Sequence, residues 1–405
     1  MLSMLGNPRT HIRNILGNMF FVPAVGLKNK LGAAAEIISR QDERTKTLRV
    51  TLPADVRRFA SNYADSIQST LTGEAKYNEG NMVQREMKPW GNSILQKTID
   101  LNSNLLEAED WLFLKGHFRR ALGGWMVANG YTVEQMQSDY DLLQKGVSYA
   151  IDEAQKATYR DASKIANIMN KVSRDGGIAG FLVDAAVPFK KTPANILKRG
   201  IEYSPVSLLR SFTTDMYHMK QYNDYMNGKL SEMPAKAISP TQWIDRFCSG
   251  LSGTVILGLG ALLSHMGLVT VGLDDDDDKL KQLKGEQKYA IHLFGNDISF
   301  TMDWAAPMSM PFFVGASVEK MFEGEGDFSI DGLVDSLASI SEPVFNLSML
   351  DGVNSLFKTS QYNDTNQLTQ IGAKVLSNYI TSYVPSAFGA IARTIDPYSR
   401  KSYVD

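Results

Sequence analysis

The sequence has few of the residues that build disulfide frameworks and catalytic metal centres. Its 405 residues include one cysteine, Cys248, and five histidines, at positions 11, 117, 218, 265 and 292. A single cysteine excludes an intramolecular disulfide framework. Histidines scattered in this way, without an HExxH motif, do not indicate a catalytic zinc site. We therefore predict no metal site and no bound cofactor.

Motifs of common enzyme families are also missing. There is no GxSxG nucleophile elbow, and the GLG at 258–260 continues as ALL, which matches neither a dinucleotide-binding motif nor a P-loop. We therefore predict no catalytic residues and a protein that is not an enzyme. An active site assembled from residues far apart in the sequence is the third alternative, after the two given below.

The chain lacks a strong excess of charge of either sign. Its 42 lysines and arginines nearly balance 44 aspartates and glutamates, which argues against a protein that mainly binds nucleic acid. The distribution is uneven, however. Residues 1–58 hold ten basic and four acidic residues, whereas residues 274–351 hold five basic and sixteen acidic residues. The two regions therefore differ in charge although the whole chain is nearly neutral.

The N-terminal residues do not follow the pattern of a secretion signal. After Arg9 and Arg13 the apolar run is interrupted by Asn18 and Pro23, and no small-residue cleavage site follows. We expect a chain that starts in a cytoplasm. Its opening is predicted to be a basic, proline-punctuated segment with an amphipathic helix over about residues 27–40.

Helical periodicity becomes clear from about residue 100. Thr132 and Gln135 form a capping-box pair that opens a helix, which Gly146 is expected to end or bend. The preceding helix runs towards Gly130, and apolar residues at steps of three and four define one face of it. These residues are Trp111, Leu114, Phe118, Leu122 and Trp125. The middle third is therefore predicted to be a helical bundle or hairpin.

Short apolar pieces, prolines and basic pairs alternate over residues 176–214. Such a segment can lie along a membrane surface, because short apolar faces enter the headgroup region while basic side chains meet anionic phosphates. The residues predicted to contact headgroups are Lys190, Lys191, Lys198 and Arg199. A kinked helix pair packed on the bundle is the alternative interpretation.

A stretch without charge runs for 27 residues from Phe247 to Leu273. As a helix it would be about 40 Å long, which exceeds the roughly 30 Å of bilayer hydrocarbon. We predict that it spans or inserts deeply into a membrane, with the central helix of a soluble bundle as the alternative. The residues predicted to insert are Val255, Ile256, Leu257, Leu259, Leu262, Leu263, Met266 and Leu268.

Small residues recur along the same stretch and indicate a packing face. Gly253, Gly260 and Gly267 lie seven apart, and Ser264 lies between the last two. Interior glycines destabilise a helix by about 0.5–1 kcal/mol each relative to alanine, but aligned on one face they allow a second helix to approach closely. We therefore predict a partner helix on these four residues, either in this chain or in a second copy.

The stretch is followed by five aspartates and then by a strand signal. The aspartates at 274–278 are predicted to be a solvated linker. Residues 288–304 alternate apolar and polar side chains on either side of a Gly-Asn-Asp turn, which predicts a small β-hairpin with one apolar face. The charge-free segments 305–318 and 375–392 are expected to be re-entrant or buried against the long helix.

Four segments resemble a region of large polyvalent proteins that are encoded by bacteriophages and integrative elements of bacteria. They are MLGNPRTHIRNILGN at 4–18, PFKKTPANILKRGIEYSPVSLLRSF at 188–212, DWAAPMSMPFFVGA at 303–316 and SYVPSAFGAIARTIDPYSR at 382–400. In that family the region sits beside varied enzymatic modules in very long chains. The resemblance implies a virion-carried or transfer-associated segment that acts at membranes, and it implies no active site.

Together these patterns predict a mainly α-helical protein, a helical bundle with at least one long apolar transmembrane helix and one small β-hairpin. We expect a soluble helical part over residues 1–175 and a membrane-interacting part over 176–405. The expected function is association with or insertion into a bacterial inner membrane during delivery of phage or element DNA, as an oligomeric channel. The protein would reach that membrane from the virion or the cytoplasm, with the lipid bilayer, further copies of itself and other virion or transfer proteins as partners. A soluble structural or scaffold protein of the virion is the alternative.

Overall fold

The computed structural model describes residues 8–68, 70–71, 93–161, 191–271, 287, 289–293, 298–302, 305 and 307–323. Within these residues the chain forms ten α-helices, one π-helical turn and three short strands. The α-helices are α1 Pro8–Ile38, α2 Ala54–Ser66, α3 Ser93–Asn129, α4 Val133–Ser138, α5 Tyr140–Ala157, α6 Lys191–Glu202, α7 Pro205–Arg210, α8 Met216–Met226, α9 Pro240–His265 and α10 Ser309–Glu323. The π-turn is Ser211–Asp215, and the strands are β1 Val269–Thr270, β2 Ala290–Leu293 and β3 Ile298–Thr301. The prediction of a mainly helical protein is confirmed.

A first hydrophobic core lies between α2, α3 and α5. The predicted face of α3 supplies its centre, since Leu114, Phe118, Leu122 and Trp125 are buried and Trp111 packs at the margin. The helices α2 and α5 contribute smaller buried side chains, namely Val56, Ala60, Ala64, Val147, Ala150 and Ala154. Small residues on two helices let the large side chains of the third fill the space between them.

Local start and stop signals in this region act as predicted, with one exception. Gly130 has a positive φ of 73° at the end of α3, and Thr132 and Gln135 form both halves of a capping box at α4. Gly146, expected to end or bend a helix, instead lies buried within α5. A Cβ there would lie 2.7 Å from the Trp125 ring. Glycine is needed at this position, because any side chain would displace the Trp125 indole.

The opening segment is one continuous helix rather than a proline-punctuated segment with a helix from residue 27. The helix α1 spans 31 residues and passes through Pro23, which is exposed. Pro23 lacks the N–H that would bond within the helix. Burial on the other side of α1 compensates, since Phe21, Ala24 and Val25 pack in a second core with Tyr203 and Met308.

The predicted hairpin is present as β2 and β3, but it belongs to a three-stranded antiparallel sheet of order β1-β2-β3. Val269 of β1 pairs with Ile291 of β2, which pairs in turn with Phe300 of β3. The strand β1 comes from the stretch predicted to be helical. The apolar side chains of β3 do not face a core, since Ile298 and Phe300 are exposed.

The helix α9 ends eight residues before the charge-free stretch does. Its last residue is His265, and Gly267 follows with a φ of 71°. The Gly267 N–H donates to the Ser264 carbonyl at 2.8 Å, and the Leu268 N–H donates to the Leu263 carbonyl at 2.9 Å. A glycine in the left-handed region closes the helix in this way, and Leu268 therefore leads into β1 instead of continuing the rod.

Several predictions concern residues outside the described part of the chain. These are the helical continuation after residue 161, the basic residue Lys190, the aspartate linker at 274–278, the hairpin turn and the C-terminal segment 375–392. They remain predictions. The same holds for the domain boundary at residue 175.

Candidate functional site

The two sides of α9 differ in what they contact. A capping box opens it, with the Ser239 side chain accepting from the Gln242 N–H and the Gln242 side chain accepting from the Ser239 N–H. Beyond this start, small residues are buried on one side, whereas several large apolar side chains are exposed on the other. Within the described residues, α9 is the one helix long and apolar enough to cross a membrane, a property it shares with core helices of soluble proteins.

Four of the residues predicted to insert form an exposed stripe along the second half of α9 and its C-cap residue, Met266. They are Val255, Leu259, Leu262 and Met266, and between 49% and 59% of each is exposed. We call these four residues the outer stripe. Their spacing of four, three and four residues places them on one face of the helix. Large apolar side chains aligned in this way, rather than scattered singly, indicate a contact surface.

The other four residues predicted to insert are half-buried. Ile256 and Leu263 pack against a third hydrophobic core that contains Val269, Phe312 and Phe313. The Leu257 backbone carbonyl lies against Gly315 of α10, and Leu268 lies beyond the end of α9. These four of the eight predicted residues are therefore partly covered by the protein itself.

The predicted packing residues Gly253, Gly260 and Ser264 lie against other segments of the same chain. A Cβ on Gly253 would lie 2.0 Å from the Tyr203 carbonyl oxygen, and one on Gly260 would lie 1.8 Å from the Phe312 carbonyl oxygen. The Ser264 hydroxyl donates to the Ala316 carbonyl at 3.1 Å. The fourth member, Gly267, has open space around its Cβ position and acts as the helix stop.

The helices α9 and α10 approach each other closely, and each contributes a glycine to the contact. A Cβ on Gly315 of α10 would lie 1.9 Å from the Leu257 carbonyl oxygen of α9. Glycines on both helices therefore allow backbone-to-backbone contact. The charge-free segment 305–318 supplies this partner helix and is buried against the long helix, one of the two positions expected for it.

Two of the four predicted headgroup contacts are described with their side chains, and both are paired within the protein. Lys198 Nζ lies 2.6 Å from Asp161 Oδ2. Arg199 is 5% exposed, contacts Asp161 and Glu202, and donates to the Lys156 carbonyl. Lys191 begins α6, and its side chain is outside the description. The Arg199 charge is thus engaged inside the fold and is not presented at the surface.

A buried charge cluster, which sequence patterns do not reveal, holds the start of α9. Asp245 Oδ1 lies 2.9 Å from the Nζ atoms of both Lys28 and Lys46, and Lys28 Nζ also lies 3.1 Å from Glu153 Oε2. We define the buried charge cluster as these four residues. The buried Glu36 accepts the Lys46 backbone N–H at 3.0 Å and so holds the loop that carries Lys46. The cluster ties α1, α5 and α9 together.

Mutual attraction keeps the members of the cluster charged despite burial. Burial alone would lower the pKa of Lys28, but the carboxylates of Asp245 and Glu153 outweigh it and raise that pKa above its ordinary value. Burial would likewise raise the pKa of Glu153, yet the Lys28 ammonium holds it at about 2. At neutral pH both side chains are therefore ionised. The position of Asp245, just before the charge-free stretch, is the one feature of the four residues that stands out in the sequence, and it does not identify the partners.

Side-chain hydrogen bonds through His292 connect all three strands of the sheet. Its Nδ1 lies 2.9 Å from Ser299 Oγ, and its Nε2 lies 3.2 Å from Thr270 Oγ1. Both ring nitrogens of this buried histidine are thus engaged by hydroxyls, so the group links the strands. Across the described part of the chain, no group of three or more histidine, cysteine or acidic residues could hold a metal ion.

No protein-family model, curated protein or solved structure matches this chain. The candidate site is therefore defined by geometry. It consists of the outer stripe on one side of α9, with the small-residue face and the buried charge cluster holding the helix in place.

Proposed function

We propose that the protein associates with a lipid bilayer through the outer stripe of α9. The observation that carries this proposal is the alignment of four exposed apolar side chains on a helix whose other face is fixed by glycine contacts. Transferring a half-exposed leucine or valine into hydrocarbon stabilises binding by about 1 kcal/mol. Four such residues, added to electrostatic attraction, are enough for reversible binding.

The dimensions of the stripe favour insertion from one side over a complete crossing. From Val255 to Met266 the helix rises by about 16 Å, about half of the roughly 30 Å hydrocarbon layer. The first turns of α9 carry Asp245 in the buried charge cluster, and these charges would not enter hydrocarbon without cost. We therefore propose that the outer stripe enters one leaflet while the start of α9 stays within the protein.

The biological setting that we propose is a bacterial inner membrane during delivery of phage or mobile-element DNA. The four segments that resemble polyvalent proteins support this setting. A self-associated channel is less well supported, because the glycines that could seat a second copy already contact Tyr203 and Phe312 of the same chain. The proposal is therefore binding of the individual chain to a membrane.

A second candidate function is a soluble structural protein of the virion. The buried charge cluster favours it, because charged side chains on α9 and the helices packed against it are costly to place in a bilayer. The long apolar helix would then be the centre of a bundle, and the outer stripe would contact another virion protein.

Flotation of the full chain with vesicles of phosphatidylcholine and phosphatidylglycerol separates the two candidates. We expect the protein to rise with the vesicles, and a Leu259→Glu/Leu262→Glu variant to stay at the bottom of the gradient. A Val50→Glu/Leu112→Glu variant is the matched control, since it places two charges on exposed apolar residues of other segments. Circular dichroism verifies that each variant is folded. A wild-type protein that remains at the bottom contradicts the membrane proposal and favours the structural one.

A further inference from the structure

Two arginines from different helices converge on one buried carboxylate in the π-turn. Arg246 Nη1 of α9 lies 2.8 Å from Asp215 Oδ1, and Arg210 Nε of α7 lies 3.5 Å from the same oxygen. The Asp215 side chain is 2% exposed, whereas the side chains of Arg210 and Arg246 are 60% and 43% exposed. The carboxylate is thus inside the fold and the guanidinium groups reach the surface.

This arrangement leaves one positive charge in excess at the surface. Among the described residues, the other acidic side chains nearest to these arginines in the sequence are engaged elsewhere, since Glu202 contacts Arg199 and Asp245 contacts the two lysines of the buried charge cluster. A guanidinium held by a carboxylate is oriented and keeps further N–H groups for another acceptor. Its planar fork matches the geometry of a phosphate group.

The π-turn fixes the position of this pair. Its Ser211 carbonyl accepts the Trp243 indole N–H of α9 at 2.8 Å, which docks the turn on α9. Ser211 and Asp215 are both buried, and no proline or glycine occupies the turn. Single π-helical turns within helices are rare and recur at functional sites.

Exposed apolar and aromatic side chains flank the arginines. Phe212 packs on Phe247 with ring centroids 5.3 Å apart, and Trp243 stacks on Phe247 at 5.4 Å. Val206, Leu209 and Met216 are also exposed nearby along α7 and α8. Tryptophan is enriched at the boundary between hydrocarbon and headgroups, where arginine side chains also reach the phosphates. A surface with both features suits a ligand that has a phosphate and an acyl part.

We propose that Arg210 and Arg246, held by Asp215, form a binding site for the phosphate of an anionic lipid headgroup. This inference rests on the proposed membrane association and assigns its electrostatic contact. It places that contact in the π-turn instead of at Lys198 and Arg199, whose charges are paired internally. The apolar side chains of α7 would then lie against the acyl region while the outer stripe of α9 inserts.

The test compares vesicles of phosphatidylcholine alone with vesicles that also contain phosphatidylglycerol, using the full chain. An Arg210→Gln variant is expected to lose about fivefold in affinity for the anionic vesicles, the effect of one charge near an anionic surface. It should bind the neutral vesicles as before, and it leaves Asp215 paired with Arg246. The control Lys229→Gln removes an equal charge from an exposed lysine that contacts Asp224 instead of Asp215, and it should change neither affinity.

An Asp215→Asn variant gives a prediction of opposite sign. The asparagine amide oxygen can still accept a hydrogen bond from Arg246 and so hold it, but the negative charge is removed and the excess positive charge increases. The preference for anionic vesicles should therefore rise, with circular dichroism to verify that the variant is folded. Unchanged anionic preference in Arg210→Gln would overturn the headgroup site while leaving the insertion of the outer stripe intact. A wild-type chain that ignores both kinds of vesicle would overturn both proposals. Titration with inorganic phosphate adds a last outcome, since Arg210-dependent binding without vesicle binding would assign the site to a soluble phosphate and contradict the lipid.

Discussion

At the scale of single residues, the surroundings of each glycine in α9 decide what its missing side chain contributes. Gly258 and Gly260 are two positions apart on the same helix. Gly258 is exposed and nothing lies within 4 Å of its Cβ position, whereas the Cβ position of Gly260 overlaps the backbone of α10. The same residue type is therefore a helix-weakening position in one case and a packing contact in the other.

Alanine substitutions at these two glycines should change stability in opposite directions. Gly258→Ala is expected to stabilise the protein by about 0.5–1 kcal/mol, because alanine loses less backbone entropy in a helix. Gly260→Ala should destabilise it by about 1–3 kcal/mol or more, because α10 must move away to admit the methyl group. Urea unfolding followed by circular dichroism measures both. Equal stabilisation by the two variants would show that α10 does not pack against Gly260.

At the scale of secondary-structure elements, the buried charge cluster decides how α9 is held. Removing one partner of a buried ion pair destabilises by about 3–5 kcal/mol, since the other charge is left without compensation in a poorly solvated place. The free energy that the buried charge cluster contributes to folding also depends on pH. Glu153 has a pKa that falls from an ordinary value of 4.5 to about 2 on folding. Its contribution is therefore fully present above pH 4.5 and is lost as the pH falls from 4.5 towards about 2.

A Glu153→Gln variant should be less stable than wild type at neutral pH and lose less stability on acidification. The difference between the two proteins should shrink across the window from pH 4.5 to about 2, because the wild-type carboxylate becomes neutral there. The matched control is Asp152→Asn, which removes an exposed carboxylate one position away that also contacts Lys156. Urea unfolding midpoints measured across this range test the prediction. A constant difference at all pH values would mean that Glu153 does not titrate with folding.

At the scale of the whole molecule, features with local causes could be predicted and features with distant causes could not. The capping box at Thr132 and the buried face of α3 depend on residues within a few turns, and these predictions match the structure. The predictions at Gly146 and Pro23 are wrong, because the roles of these residues depend on Trp125 and on the second core, which lie elsewhere in the chain. Packing against distant residues therefore overrides the local conformational preference of a glycine or a proline.

The candidate site divides in the same way. The small-residue face follows from periodicity within α9, and three of the four packing residues lie where another helix or segment approaches. The outer stripe follows only in part, because the sequence predicts eight inserting residues and does not separate the four exposed ones from the four half-buried ones. The pairing partners of Asp245 and Asp215 could not be identified, because ionic contacts between distant elements leave no pattern along the chain. The strand β1 was missed for a similar reason, since a two-residue strand forms only through pairing with β2.

The buried charge cluster also spans the two parts into which the sequence was divided, and this gives a prediction for the complete chain. Lys28 and Glu153 belong to the first 175 residues, and Asp245 belongs to the remainder. If the cluster couples them, α1, α5 and α9 open together. Lys28→Met should then reduce the hydrogen-exchange protection of peptides from all three helices, because Asp245 and Glu153 both lose a partner. Mass spectrometry of the exchanged peptides gives the readout.

The control for this experiment is Lys145→Met, which removes an exposed lysine of α5 that pairs with Glu43. A surface ion pair contributes about 0–1 kcal/mol, so protection should hardly change, and any loss should stay close to the substituted position. A loss confined to α1 in Lys28→Met would show that the cluster does not couple the helices. The start of α9 would then be held by its contacts with α7 and the π-turn, and the outer stripe could move independently of the first core when the protein meets a membrane.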